Sequence, residues 1–175
     1  TAPNGQAQRR LLTDALLDSG VGWTDTHLIE AHGTGTALGD PLEGGSLAAA
    51  IKMEVAHPVG QANLGASLAV GSIKANIGHA ESAAGMTGMT KLTLLLGHGV
   101  AGPNAQLRAL NSHMHGAMRE VACVLQVQLG GMSMGIQRGG GVHSCWSSGT
   151  IVHAVLSTPA GAPPGRLGAA VPLRP

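Results

Sequence analysis

Two stretches hold residues fit for chemistry: Glu30-Ala31-His32-Gly33-Thr34-Gly35-Thr36 and Ser72-Ile73-Lys74-Ala75-Asn76-Ile77-Gly78-His79-Ala80-Glu81. Each sets a histidine in a glycine-bearing turn between an apolar, strand-like run and a helix-like segment. Such turns are where α/β proteins place ligand sites, because small residues let a ligand approach the backbone amides. Lys74 lies five positions before His79, and a nearby cation disfavours a second positive charge on an imidazole. A neutral imidazole still donates one hydrogen bond, which suits a developing oxyanion. Glu81 is placed to hold the lysine. Thr34 and Thr36 offer hydroxyls to an amide-bearing ligand.

Each motif also has a plainer reading. Gly33 to Gly39 alone is a tight turn, with His32 satisfied by backbone. Its glycine spacing is not the dinucleotide fingerprint and it lacks the lysine of a phosphate loop, which argues against a nucleotide site. The second turn alone is a solvated loop with a surface ion pair. The sequence has 9 histidines but no His-Glu-x-x-His pattern and no cysteine pair at ligand spacing, so no metal site is expected. His27, His57, His98, His113 and His115 are assigned to structure or surface. Cys123, in an apolar run, reads as an inert core thiol, and Cys145 beside a turn is no better a nucleophile.

The elements that must position the two turns follow from periodicity. Leu11, Leu12, Ala15 and Leu16 predict a helix over Arg9 to Asp18, closed by Ser19-Gly20. A buried strand is expected over His27 to Ala31. A helix then starts at Asp40 as N-cap with Pro41 in its first turn, Glu43 suiting its dipole, and runs to about Val55. Leu68 to Ile73 predicts a second strand and Lys74 to Glu81 a loop. Ser82 caps a long helix, with Met86 and Met89 read as core, that ends at Gly97 and Gly99. Strands are expected over Val121 to Leu129 and Gly149 to Leu156, whereas Gly130 to Gly141 suggests no element. Alternating strands and helices give an α/β layered fold. One domain is expected over 1–158, then a Pro/Gly/Ala-rich linker or tail over 159–175.

Composition excludes several classes. With 10 Lys+Arg against 9 Asp+Glu, neither an acidic nor a basic partner is implied, and nothing supports nucleic-acid binding. No apolar run reaches the roughly 18 residues of a membrane span, and no secretory signal is evident. Two cysteines define no disulfide framework. A soluble, intracellular and most simply cytoplasmic protein is expected. The 28 glycines, 2 tryptophans and absence of phenylalanine and tyrosine leave little area to bury per residue. That composition predicts stability borrowed from a neighbour, and a chain beginning at Thr1 reads as part of something larger.

The motifs together resemble the C-terminal half of β-ketoacyl synthases, in particular the ketosynthase domains of modular polyketide synthases. The likeness runs through Thr1-Ala2-Pro3-Asn4-Gly5 and from Glu30 to Glu43 (EAHGTGTALGDPLE). It continues from Gly71 to Gly85 (GSIKANIGHAESAAG), and from Ser148 to Leu156 (SGTIVHAVL). The resemblance implies a thiolase-like fold of two similar α/β halves, of which this is the second. It also implies decarboxylative Claisen condensation of an acyl thioester with a malonyl-type extender. His32 and His79 would be the catalytic histidines, Lys74 the lysine that organises them, and Glu81 its partner. Thr34 and Thr36 would contact the phosphopantetheine arm of an acyl carrier protein, no cofactor being bound directly. The implied partners are an N-terminal ketosynthase half, that carrier protein and a second copy in a homodimer.

Departures from the pattern set expectations too. The family's nucleophilic cysteine lies in a Cys-Ser-Ser motif that this chain lacks, so the fragment is not expected to act alone. Cys145 and Trp146 stand where a phenylalanine and a glycine usually precede the last block, Ile151 stands where asparagine is common, and 121–141 follows the pattern poorly. A non-elongating synthase, a catalytically inactive chain-length-type subunit and, more distantly, a thiolase are the rival readings.

Overall fold

A computed structural model describes residues 4–56, 67–132, 137–146 and 148–165. Helix α1 (Gly5–Ser19) starts earlier than periodicity alone predicts. The Asn4 side chain caps it, accepting from the amides of Gln6 and Ala7 at 3.1 Å each, and Gly20 ends it in the left-handed region. Strand β1 (Thr26–Glu30), helix α2 (Gly39–Ala56), strand β2 (Leu68–Gly71), the single turn α3 (Lys74–Ile77) and helix α4 (Ala84–His98) follow. After them come β3 (Val100–Ala101), α5 (His115–Arg119), β4 (Cys123–Leu125), β5 (Gly130–Gly131), β6 (Gly139–Cys145) and β7 (Ile151–Ser157). His57, assigned above to structure or surface, lies outside the described residues.

Five strands form one sheet in the order β4-β2-β1-β6-β7. The first four are parallel and β7 pairs antiparallel with β6, so the sheet is mixed. Its two faces bury alternate residues, as the period of a strand requires. Ile29, Leu68 and Val70 pack with Leu12, Leu16, Leu47 and Ile51 of α1 and α2. Leu28, Ala69 and Val142 pack with Leu92 and Leu96 of α4. The result is three layers with helices on both faces. Among the described residues, no helix is long and apolar enough to cross a membrane.

Four sequence readings need correction. The Gly130 to Gly141 stretch, which suggested no element, supplies β5 and the first three residues of β6, which lies beside β1 in the sheet. Glycine is used there for close approach: a Cβ on Gly140 would sit 2.8 Å from Leu92 Cδ1 and 2.9 Å from the Leu28 carbonyl. The strand expected over Val121 to Leu129 shrinks to β4, because the Gln126 carbonyl is taken by Asn104 through its backbone and side-chain N–H groups. Met86 and Met89 are exposed, and Ala84, Gly88, Leu92 and Leu96 form the buried stripe of α4 instead. Asp40 and Ser82 are not N-caps. Helix α2 begins at Gly39, whose amide donates to Thr36 Oγ1, and α4 follows a 3-10 turn over Glu81–Ala83 without a side-chain cap.

The first residues of the expected tail lie against the body. Gly165 donates to the Gly97 carbonyl at 2.8 Å. Buried Arg138 donates to Leu96 at 2.8 Å and to Ala162 at 3.3 Å, tying the entry of β6 and the end of α4 to that segment. Residues 166–175 lie outside the described set.

Candidate active site

Strands β1 and β2 are parallel neighbours, so the turns that leave their C-terminal ends emerge side by side. The ladder runs one residue further, Ala31 donating to Gly71 at 2.7 Å, before the two turns part. They remain in contact at Gly33. Its φ of 46° suits glycine, and a Cβ there would stand 2.7 Å from that of Ser72. The sequence places two histidines 47 residues apart (79 minus 32). The fold brings their rings to a centroid separation of 5.8 Å, edge to face.

Carboxylates fix the first turn. Glu43 reaches back from near the start of α2, and its two oxygens accept from the amides of His32 at 2.6 Å and Gly33 at 2.9 Å. Asp40 accepts from the Gly35 amide at 3.1 Å. Burial raises both carboxyls, Glu43 to about 6, against the lowering effect of those amide bonds. A buried network fixes the second turn. Glu30 accepts from the Ile73 amide with one oxygen and pairs with Lys91 Nζ at 2.7 Å through the other. Its own burial outweighs Lys91 and raises its pKa. The Asn104 carboxamide accepts from the Ser72 amide at 2.9 Å and donates to Val70.

The two histidines are prepared differently. His79 Nδ1 accepts from the Glu81 backbone N–H at 2.9 Å. An accepting Nδ1 carries no hydrogen, so the ring hydrogen sits on Nε2, free to donate. His32 is lowered to about 4, first by burial and then by the positive charges of Lys74, His79 and His143, and its buried Nδ1 has no hydrogen-bond partner. His32 is therefore neutral at physiological pH. Lys74 is itself lowered by burial, while Glu30 and Glu43 act to raise it.

The expected Lys74–Glu81 pair does not form. Glu81 is exposed, adopts φ 49° and serves the site through its backbone rather than its carboxylate. Thr34 and Thr36 sit 3.4 Å apart through their hydroxyls. With His32, His79, Cys145 and Trp146 they line a cleft of about 400 Å³. The Cys145 thiol lies 3.2 Å from His143 Nε2 and receives a long contact of 3.6 Å from the Gln8 amide. Burial, with Glu43 nearby, pushes it up to about 12, which leaves it a protonated, unreactive thiol. Among the described residues, no three His, Cys, Asp or Glu side chains are placed to hold a metal ion.

Sequence reasoning missed the supports. Glu43 was read only as a helix-dipole residue, and Glu30, Lys91 and Asn104 were not singled out. One signal was available: Glu43 falls at the start of a helix directly after a glycine turn, within reach of its unpaired amides.

The sequence model of "Beta-ketoacyl synthase, C-terminal domain" matches residues 1–108. The chain belongs to the β-ketoacyl synthase family. It is 37% identical over 155 residues to erythronolide synthase EryA2 of Saccharopolyspora erythraea, covering 89% of this chain and 4% of that protein. It is also 37% identical over 161 residues to the highly reducing polyketide synthase azaB of Aspergillus niger, covering 91% of this chain and 6% of that one. The chain thus spans only a few per cent of these curated relatives. Among solved structures, the oxazolomycin ketosynthase domain OzmH KS7 of Streptomyces albus JA3453 superposes with a TM-score of 0.77 at 33% identity. That match covers 94% of this chain and 27% of that one. The fold is that of the C-terminal part of a ketosynthase, thiolase-like and of the type I polyketide kind.

Proposed function

We propose that this chain supplies the decarboxylating half of a polyketide ketosynthase site, completed by an N-terminal half that carries the nucleophilic cysteine. The observation that carries the reading is the His32–His79 pair, with rings 5.8 Å apart and Nε2–H of His79 left free by the Glu81 amide. Two such imidazoles can donate to one thioester carbonyl oxygen of a malonyl extender. As the bond from the α-carbon to the carboxylate breaks, carbon dioxide leaves and its electron pair becomes an enolate. The negative charge grows on the oxygen that the histidines hold, where fixed donors lower its energy most. The α-carbon then attacks the acyl thioester on the upstream cysteine. The new carbon–carbon bond replaces the carbon–sulfur bond, and the cysteine thiolate leaves and regains a proton.

Lys74, under the fields of Glu30 and Glu43, keeps positive potential beside His32 and adds to burial in holding it neutral. Thr34 and Thr36, on the rim of the cleft, suit the amides of a phosphopantetheine arm delivered by an acyl carrier protein. Ile77, Met86 and Met89 are exposed on α3 and α4, which supports a covering partner half. A homodimer of complete ketosynthases is the expected assembly.

The experiment is to compare His79→Ala with wild type in the intact synthase. Malonyl decarboxylation should fall by about 10²-fold or more while acylation of the upstream cysteine persists. Equal loss of both steps would refute the assigned role. Cys145, standing in the cleft where the family has phenylalanine, favours a second reading as a non-elongating relative. That relative would release carbon dioxide without forming a ketoacyl product.

A further inference from the structure

A second cavity, of about 390 Å³, lies behind the cleft. Thr34, Glu43 and His79 line both spaces, so they meet at the two histidine turns. Past this neck the walls are hydrocarbon: Leu47, Val70, Leu107, Leu110, Met114 and Met118. The methyl ends of Met114 and Met118 lean on α2 at Gly44, where a Cβ would come within 2.8 and 3.0 Å of them. Methionine walls adapt to what they enclose, and the volume is that of a small-ligand pocket. The condensation described above makes no use of this chamber.

Resting on that reading, we propose that the chamber receives an alkyl substituent on the α-carbon of the extender, and so selects which branched malonyl units are condensed. The two histidines hold the extender's carbonyl, and the α-carbon is the next atom along. A substituent there is the first hydrocarbon that a bound extender can send past His79 and Thr34. The growing acyl chain, by contrast, hangs from a cysteine outside this chain. Lys74, Ser72 and Asn104 also line the chamber, and an alkyl group gains most by leaving water against its leucine and methionine walls.

The test uses the intact synthase, with malonyl- and 2-hexylmalonyl-pantetheine thioesters as substrates. Met114→Trp fills the chamber and lowers the hexylmalonyl-to-malonyl ratio of kcat/KM by about tenfold or more; Met118→Ala enlarges it and raises that ratio. An unchanged ratio in Met114→Trp overturns the proposal. Should that variant fail to fold, wild-type synthase is irradiated with a 2-hexylmalonyl-pantetheine amide bearing a diazirine at the hexyl end. Label on the 107–118 segment supports the chamber, and label elsewhere, or none, overturns it. Malonyl turnover by wild type separates the two readings: its absence refutes the ketosynthase reading, while the labelling still decides the chamber.

Discussion

Lowering the pH from 7 to 5 should loosen the β6–β7 hairpin through two buried imidazoles. His143 and His153 face each other across that pair, with ring centroids 5.7 Å apart, and are 4% and 9% exposed. Three of their four ring nitrogens have no partner. Burial lowers both to about 4, and a charge on His153 further disfavours one on His143. An unfolded histidine titrates near 6.5, so between pH 6.5 and 4 the open hairpin binds more protons than the closed one. Stability therefore falls as pH drops. At pH 5 the loss is about 2 kcal/mol for each histidine. The raised carboxyls Glu30, Asp40 and Glu43 work in the opposite sense, since their protonated forms are favoured by the fold. A comparison with His143→Gln cancels them. Hydrogen exchange of the 139–157 peptide, corrected for intrinsic rates, reads the opening free energy of this pair. Its fall from pH 7 to 5 should be about 2 kcal/mol smaller in His143→Gln than in wild type. Identical falls in the two proteins would refute the claim that His143 is held neutral by burial.

Two further outcomes follow from the packing and the turn supports. Glu43→Gln turns one accepting oxygen into a donor facing an amide of the His32 turn, so the decarboxylation kcat should fall by about 10- to 100-fold. An unaltered kcat would show that the turn is held by something else. Gly140→Val drives a side chain into both Leu92 and the Leu28 carbonyl and should destabilise the synthase by about 2–4 kcal/mol. Trimming Leu92 to alanine in the same protein should not restore the melting temperature, because the carbonyl contact remains. Restoration would mean that the side-chain contact alone matters.

The sequence made the two turns, their flanking strands and the existence of α2 and α4 legible, because glycines mark the turns and apolar runs mark the elements, although the caps expected at Asp40 and Ser82 did not form. It gave no sign that the turns would touch. That depends on β1 and β2 pairing directly, which no local pattern encodes. Strand β6 was hidden for a physical reason: in Gly139-Gly140-Gly141 the usual strand markers are absent, since close approach to α4 and β1 leaves no room for side chains. Met86 and Met89 misled because apolar residues were taken as core, whereas the buried stripe of α4 runs through Ala84 and Gly88. The role of Glu81 was half legible. Its place beside His79 mattered, but through an N–H that every residue except proline possesses.

The most direct measurement is carbon dioxide release from malonyl-pantetheine thioester by the intact synthase, with and without an acyl primer, alongside detection of ketoacyl product. The account predicts release that depends on His79, with product formed in step when primer is present. Silence in both assays, with His79 intact, would contradict the claim that the His32–His79 pair stabilises an enolate.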